Sequence, residues 1–285
     1  MNIMTRQQKK TLKMALSYLV IVLIGCLLLF PIAWMISCAF KTNEEIFGSI
    51  ALLPKSFSIQ NFVDGWKSAG SYTYLTYFLN SFALVVPTTV LTIASSALVA
   101  YGFARFEFPF KKQLFALLLA TLMLPNSVVI IPRYVLFNKF GWVDSYMPWW
   151  VPAILACYPF FIYQLIQFMR SIPRDLDESA YIDGCSTFRV FWQILLPLMK
   201  SSLFSAGLFQ FLWTYNDYFN SLIFINSVKK YTVSLALRLS VDAESVVVWG
   251  RVMAMACVAV LPLVLLFFAA QKYFVEGIAT SGLKG

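Results

Sequence analysis

Four of the thirteen acids in this chain, Asp175, Asp177, Glu178 and Asp183, fall in one short stretch between Arg170 and Lys200. Carboxylates grouped in this way can work as general acid and base, hold a metal, or cap a helix and meet a docking partner. A fifth, Asp217, stands in an otherwise apolar run, where a charge is costly and marks a cavity, a partner or a helix end. The remaining inventory removes most enzymatic options. With no histidine, a Ser-His-Asp triad, a Cys-His pair, an imidazole metal site and a histidine proton relay are all excluded. Cys26, Cys38, Cys157, Cys185 and Cys257 form no C-x-x-C pair and read as structural, four of them in apolar segments. None of the twelve glycines lies in a G-x-x-x-x-G-K-[ST] loop, so any nucleotide energy must come from another subunit. Capping and docking therefore explain the acid cluster better than catalysis.

The elements that carry these residues belong to a membrane. Of 285 residues, 60% are hydrophobic and 12% charged, with a mean hydropathy of +0.75, which excludes a soluble catalytic domain. Six charge-poor stretches are long enough to cross about 30 Å of hydrocarbon. They are expected as helices, since open sheet edges cannot face lipid. The first, at 14–40, follows a short N-terminal segment (1–13), and its length and lack of a cleavage site read as an anchor, not a signal peptide. An external loop at 41–74 leads to five further spans within 75–271, near 75–104, 114–131, 146–169, 202–224 and 252–271. A tail (272–285) follows. Thirteen of the twenty-two basic residues fall at the N-terminus, in the second and fourth loops and in the tail, which places both termini in the cytoplasm. The net charge of +9 is met by anionic lipid headgroups and needs no nucleic acid. Pro125, Pro148, Pro152, Pro159 and Pro262 interrupt three spans, as ordinary kinks or as breaks lining a path.

The stretch 170–200 is more than a connector. Pro173 suits a helix start, Asp175 and Glu178 have the spacing of a capping box, and Gly184 sits where a left-handed C-terminal residue is wanted. Leu176, Ala180 and Ile182 give the first helix an apolar side. Ser186 can cap a second helix carrying Phe188, Phe191, Trp192 and Leu195, which Pro197 ends. From periodicity alone, the pair could equally be an amphipathic hairpin lying against the bundle.

Glu178-Ser179-Ala180, Asp183-Gly184 and Leu196-Pro197 resemble the EAA loop of ABC-importer membrane subunits. Leu53-Pro54-Lys55 to Asn61-Phe62, Met123-Leu124-Pro125, Gly141-Trp142-Val143-Asp144-Ser145, Trp213-Thr214-Tyr215-Asn216-Asp217 and the segment from Gln271 to Gly285 are similar to the carbohydrate permeases of the maltose-transporter type. The resemblance covers nearly the whole chain. It implies an all-α integral membrane protein with six transmembrane helices and the type I ABC importer permease fold. It also implies the family's partners: a second permease subunit in a heterodimer, two ATPase subunits that hold ATP and Mg, an extracellular solute-binding protein, and membrane lipid. The chain itself is then no enzyme and binds no cofactor. By the same resemblance, Glu178, Ser179, Ala180, Asp183, Gly184, Leu196 and Pro197 couple to the ATPase, and Gly277, Leu283, Lys284 and Gly285 contact it from the tail. Ser179 and Cys185 depart from the family's alanines but stay small, and Glu276 stands where the family often has a basic or neutral residue.

Trp213, Tyr215, Asn216 and Asp217 are candidates for the translocation path or its gate. A helix running outward from Ser202 puts Asp217 roughly 22 Å along, near the outer leaflet. There it could hold a sugar hydroxyl or a gate hydrogen bond, or simply end a helix near interfacial water. The neighbouring Tyr218, Phe219 and Asn220 fit a sugar site or an interfacial aromatic belt. Two other classes fit less well. An ion-coupled secondary transporter working alone calls for several intramembrane charges and an inverted repeat, and a membrane enzyme for a catalytic cluster at one interface. The sequence leaves open which sugar is carried.

Overall fold

The computed structural model describes residues 6–55, 57–67, 71–242 and 247–282, in which the regular elements are all helices. Four helices are apolar and long enough to cross a membrane, and two sharply bent helix pairs raise that number to as many as six. The chain divides into two compact units, one of Met1–Thr73 with Leu237–Val260, the other of Tyr74–Ala236 with the chain from Leu261 onward.

In the first unit α1 (Arg6–Cys38) presents apolar side chains outward along most of its length, as a helix does toward hydrocarbon. Its C-terminal end is locked to two short helices, α2 (Asn43–Gly48) and α3 (Gln60–Lys67). The Asn61 amide donates to the carbonyls of Ala39 and Lys41, each at 3.0 Å. Gly250 packs so closely there that a Cβ would lie 2.4 Å from that amide nitrogen, so only glycine fits. Asn43 closes the unit by donating to the Val247 carbonyl at 2.6 Å and accepting from the Trp249 N–H at 2.8 Å. The L-P-K to N-F motif is thus a stitched element, with Asn61 as its tie.

The second unit is built around α4 (Tyr74–Arg105). Ser96, Ala97, Ala100 and Ala104 share its buried face, and small residues at this spacing let a neighbouring backbone come close. The neighbour is α8 (Pro159–Arg170), whose Phe161, Ile162, Leu165, Ile166 and Met169 complete the core. Between them in sequence come α5 (Lys111–Leu122), α6 (Asn126–Lys139) and α7 (Met147–Ile154). The unit continues through α9 (Asp175–Ile182), α10 (Thr187–Leu198), α11 (Lys200–Tyr215) and α12 (Tyr218–Phe224). A helix α13 (Val233–Asp242) and a long helix α14 (Trp249–Gly282) each contribute to both units.

Three expected spans differ in ways with clear causes. The span expected at 114–131 is not one helix: α5 and α6 meet at 103°. Pro125 forces the residue before it out of helical geometry and then serves as the N-cap of α6. The span at 146–169 holds as one candidate crossing, Met147–Arg170, with a short break between α7 and α8. Pro148 and Pro159 sit in their first turns, where a missing N–H leaves no bond unmade, so only Pro152 interrupts a helix there. The span at 202–224 ends at Tyr215, because the Asp217 side chain accepts from the Asn220 N–H and starts a new helix.

Candidate functional site

The 170–200 loop is held rigidly to the end of α4. Arg105, the last residue of α4, places Nε 2.6 Å from Asp177 Oδ2, with both side chains almost fully buried. Its Nη2 donates to the Ile172 carbonyl at 3.2 Å, and Arg174 returns the favour by donating to the Ala104 carbonyl at 3.3 Å. Arg174 thus meets a carbonyl at the negative end of the α4 dipole, where cations are favoured, and Arg105 stands in the last turn of that helix and reaches a carbonyl just past α8. The second half is fixed by Tyr101, whose hydroxyl donates to the Thr187 carbonyl at 3.0 Å and whose ring lies 4.9 Å from that of Phe191. Burial raises the Asp177 carboxyl above the ordinary carboxylate range, while Arg105 and Arg174 pull it down.

Within this frame α9 carries Asp175, Asp177 and Glu178 in its first turn, where the helix dipole favours acids. The expected capping box is not formed: Arg174 occupies the N-cap and no side chain caps it, because Asp175 already lies inside the helix. Ser186 likewise precedes α10 without a side-chain cap. The glycine turn is as expected. Gly184 has φ +79°, Cys185 N–H donates to the Ala180 carbonyl at 2.9 Å and Gly184 N–H to that of Tyr181 at 3.0 Å, the paired bonds of a Schellman motif. Of the loop's candidate residues, Ala180 is buried, Leu196 is half-buried, and Glu178, Ser179, Asp183, Gly184 and Pro197 are exposed. The apolar side chains expected to line one face divide: Ala180 and Phe191 pack inward, but Ile182 is 87%, Phe188 66% and Trp192 61% exposed. Val190–Leu195 forms a π-helical turn ahead of Pro197, a local widening that accommodates the proline's missing donor.

The second candidate region lies at the broken helix end. Asp217 accepts from the Asn220 backbone N–H at 3.1 Å, from the Asn220 side-chain amide at 2.8 and 2.9 Å, and from Trp149 Nε1 at 3.2 Å. Asn220 accepts in turn from Arg133, which also donates to Asn126 and stacks its guanidinium 5.6 Å from the centre of the Phe224 ring. Asp217 is therefore a helix cap at the centre of a polar network, with both oxygens occupied. The other candidates there do not converge with it. Trp213, 50% exposed, packs on Phe160 and Phe161; Tyr215 is buried against Phe82 and Phe211; the exposed Asn216 turns back to the Leu212 carbonyl. Gly277 lies in α14, and Leu283, Lys284 and Gly285 lie outside the described residues. Among the described residues no three acids or thiols come together as metal ligands.

Sequence reasoning missed Arg105 and Arg133, the cations that organise the two regions, because their partners lie far along the chain. It also read Asp144 only as part of a motif. With φ +60°, Asp144 accepts from the N–H groups of Asn226 and Ser227 at 3.0 and 2.8 Å, from the Ser227 hydroxyl at 2.6 Å and from Lys230 Nζ at 2.9 Å. Burial alone would raise this carboxyl, but those donors hold it well below the usual carboxylate range.

Comparison with known proteins agrees with this architecture. Residues 93–280 match the family described as binding-protein-dependent transport system inner membrane component. The trehalose/maltose transport system permease protein MalG of Thermococcus litoralis is 30% identical, over 98% of this chain and 99% of its own. The probable ABC transporter permease protein YurM of Bacillus subtilis is 35% identical over 90% of this chain and 84% of its own. The arabinooligosaccharides transport system permease protein AraQ of the same organism is 30% identical over 92% and 93%. A solved bacterial ABC transporter involved in the import of the acidic polysaccharide alginate has the same fold, with a TM-score of 0.81 over 96% of this chain and all of that one, at 16% identity. An all-helical chain with this array of apolar helices, matched across two thirds of its length, belongs to the family of binding-protein-dependent transport system inner membrane components.

Proposed function

We propose that the chain is one permease subunit of an ATP-driven ABC importer for a sugar or oligosaccharide, in a bacterial cytoplasmic membrane with both termini inside. It forms half of the translocation path beside a second permease. Two ATPase subunits carry ATP and Mg, and an extracellular binding protein delivers the solute. The observation that carries this reading is the 170–200 loop: a helix clamped to α4 by a buried ion pair, which still exposes Ile182, Phe188 and Trp192. Large apolar side chains left exposed on a rigid support are a surface that fits a partner. A rigid contact also transmits motion, so closure of an ATPase pair against α9 moves α4 and the core packed on it as one body. The carbohydrate class rests on relatives named for trehalose/maltose and arabinooligosaccharides. An ion-coupled transporter working alone needs a carboxylate free to take a cation, and the Asp217 oxygens are already engaged by Asn220 and Trp149.

The test is the chain purified from its native membrane with whatever accompanies it, assayed for ATP hydrolysis with sugar-loaded binding protein. A second permease, an ATPase pair and stimulated hydrolysis are expected. In that assembly Gly184→Val forces a β-branched side chain into left-handed geometry at about 1–2 kcal/mol and should uncouple hydrolysis from uptake. Gly184→Asn, which tolerates that geometry, should keep coupling. Solute uptake by the chain alone, without ATP, overturns the proposal.

A further inference from the structure

A cleft of about 420 Å³ opens where α4 and α8 end and α5 begins, and its charged lining is Arg105, Lys111, Arg170, Arg174 and Glu107. The lining is unequally employed. Arg105 is consumed by Asp177 and the Ile172 carbonyl, and Lys111 by the Phe106 carbonyl and Glu107 at 2.7 and 2.8 Å. Arg174 uses one nitrogen on the Ala104 carbonyl. Arg170 is exposed, and its guanidinium meets only the Phe115 ring, 5.1 Å away, with no carboxylate partner among the described residues. Four cations thus face two carboxylates, Glu107 and Asp177, and the donors left over, those of Arg170 and the rest of Arg174, sit on one rim. The carbonyl ends of α4 and α8, which would repel an anion, are partly neutralised by the bonds from Arg105 and Arg174.

We propose that this cleft binds a phosphate-bearing anion, the headgroup of an anionic phospholipid. Arg105 ends α4 and Arg170 ends the span Met147–Arg170 made of α7 and α8, each span long enough to cross a bilayer, so the cleft lies where hydrocarbon gives way to headgroups. Phe106 and Phe110 are exposed beside it, Phe110 at 71% on a left-handed backbone, and give the glycerol and upper acyl region an apolar flank. A guanidinium with five unengaged donors suits phosphate oxygens in two-pronged geometry. The cleft also shares Arg105 and Arg174 with the clamp on α9, so a bound headgroup would stiffen that clamp. The proposal needs only that α4 and the span of α7 with α8 cross a membrane and is independent of the transport reading.

The test uses the assembly in which the chain purifies, placed in nanodiscs of phosphatidylcholine with or without phosphatidylglycerol. Retained lipid is read by native mass spectrometry and stability by thermal unfolding. The wild type should retain phosphatidylglycerol and melt higher in its presence. Arg170→Gln should weaken retention about fivefold, the ratio given by roughly 1 kcal/mol per basic residue at an anionic surface. Arg170→Lys should recover much of it, and Arg189→Gln, outside the cleft, should change nothing. Inorganic phosphate added to phosphatidylcholine discs separates the sources: stabilisation by phosphate that Arg170→Gln abolishes supports the anion site with a soluble ligand. Retention equal in wild type and Arg170→Gln, or lowered equally by Arg189→Gln, overturns the proposal. Stabilisation that requires the ATPase subunits and no phosphate-bearing anion also overturns it.

Discussion

The 170–200 loop and the 213–224 segment each set an acid against an arginine, and they use the pair in opposite ways. In the loop, Asp177 meets Arg105 directly and out of water, and the bond turns α9 into an extension of α4. What remains outward is apolar: Ile182, and Phe188 stacked on Trp192. At the other site, Asp217 reaches Arg133 through Asn220, and both Asp217 oxygens and the Asn220 amide are engaged within the chain, while Arg133 Nε stays buried without a hydrogen bond. The first region turns an apolar rim outward, whereas the second spends its carboxylate oxygens on groups of the same chain. A lone intramembrane carboxylate is therefore not in itself a solute site, and an exposed apolar rim on a rigid support is the stronger sign of function.

The largest effect should come from Asp177→Ala. It leaves Arg105 buried without a counter-charge, a change that costs about 3–5 kcal/mol when one partner of such a pair is removed. Thermal unfolding of the assembly should shift downward, and solute-stimulated hydrolysis should fall with it. If stability drops while coupling persists, the clamp is structural only and the contrast with the Asp217 network disappears. Asp217→Ala should cost less, about 1–2 kcal/mol, since it removes a helix cap and one hydrogen bond to Trp149. Asp217→Asn should keep the cap and most of the stability, and neither variant should change the apparent KM for solute uptake. A raised KM in Asp217→Asn with unchanged stability would instead make this carboxylate a solute contact.

The smallest expected effect is at Asp144. Its folded carboxyl titrates below its unfolded value, so its contribution is fully present above the ordinary value of about 3.9 and is lost as pH falls below it. Asp144→Asn should therefore lower stability by about 1 kcal/mol at neutral pH and leave little difference from wild type in strong acid. A difference that persists unchanged to low pH would show that the hydrogen bonds to Asn226, Ser227 and Lys230 do not require the charge.

Much of the loop was legible because its signals are local. A glycine after a helical run announces left-handed geometry, and Gly184 adopts it. The capping box failed for an equally local reason: with Arg174 at the boundary, Asp175 enters the helix and favours its dipole without capping it. Arg105 was invisible as a partner of Asp177, since no pattern in a single sequence pairs residues on separate helices. At Asp217 a helix end was one of the readings, and the structure takes it. Aspartate is a ready N-cap, but the surrounding apolar residues read as one continuous span to Phe224. The 103° bend at Pro125 had its warning in the proline, while its angle depends on packing that no window of sequence contains.

The most direct measurement places a photo-activatable cross-linking residue at Ile182 in the intact assembly, with one at Phe219 as the comparison. If the loop is the joint to an energy-supplying partner, Ile182 should give an adduct with an ATPase subunit whose yield changes on adding ATP, and Phe219 should give none. An adduct from Ile182 with lipid alone, unchanged by nucleotide, would mean that the exposed rim lies in the membrane surface and that the coupling role belongs elsewhere.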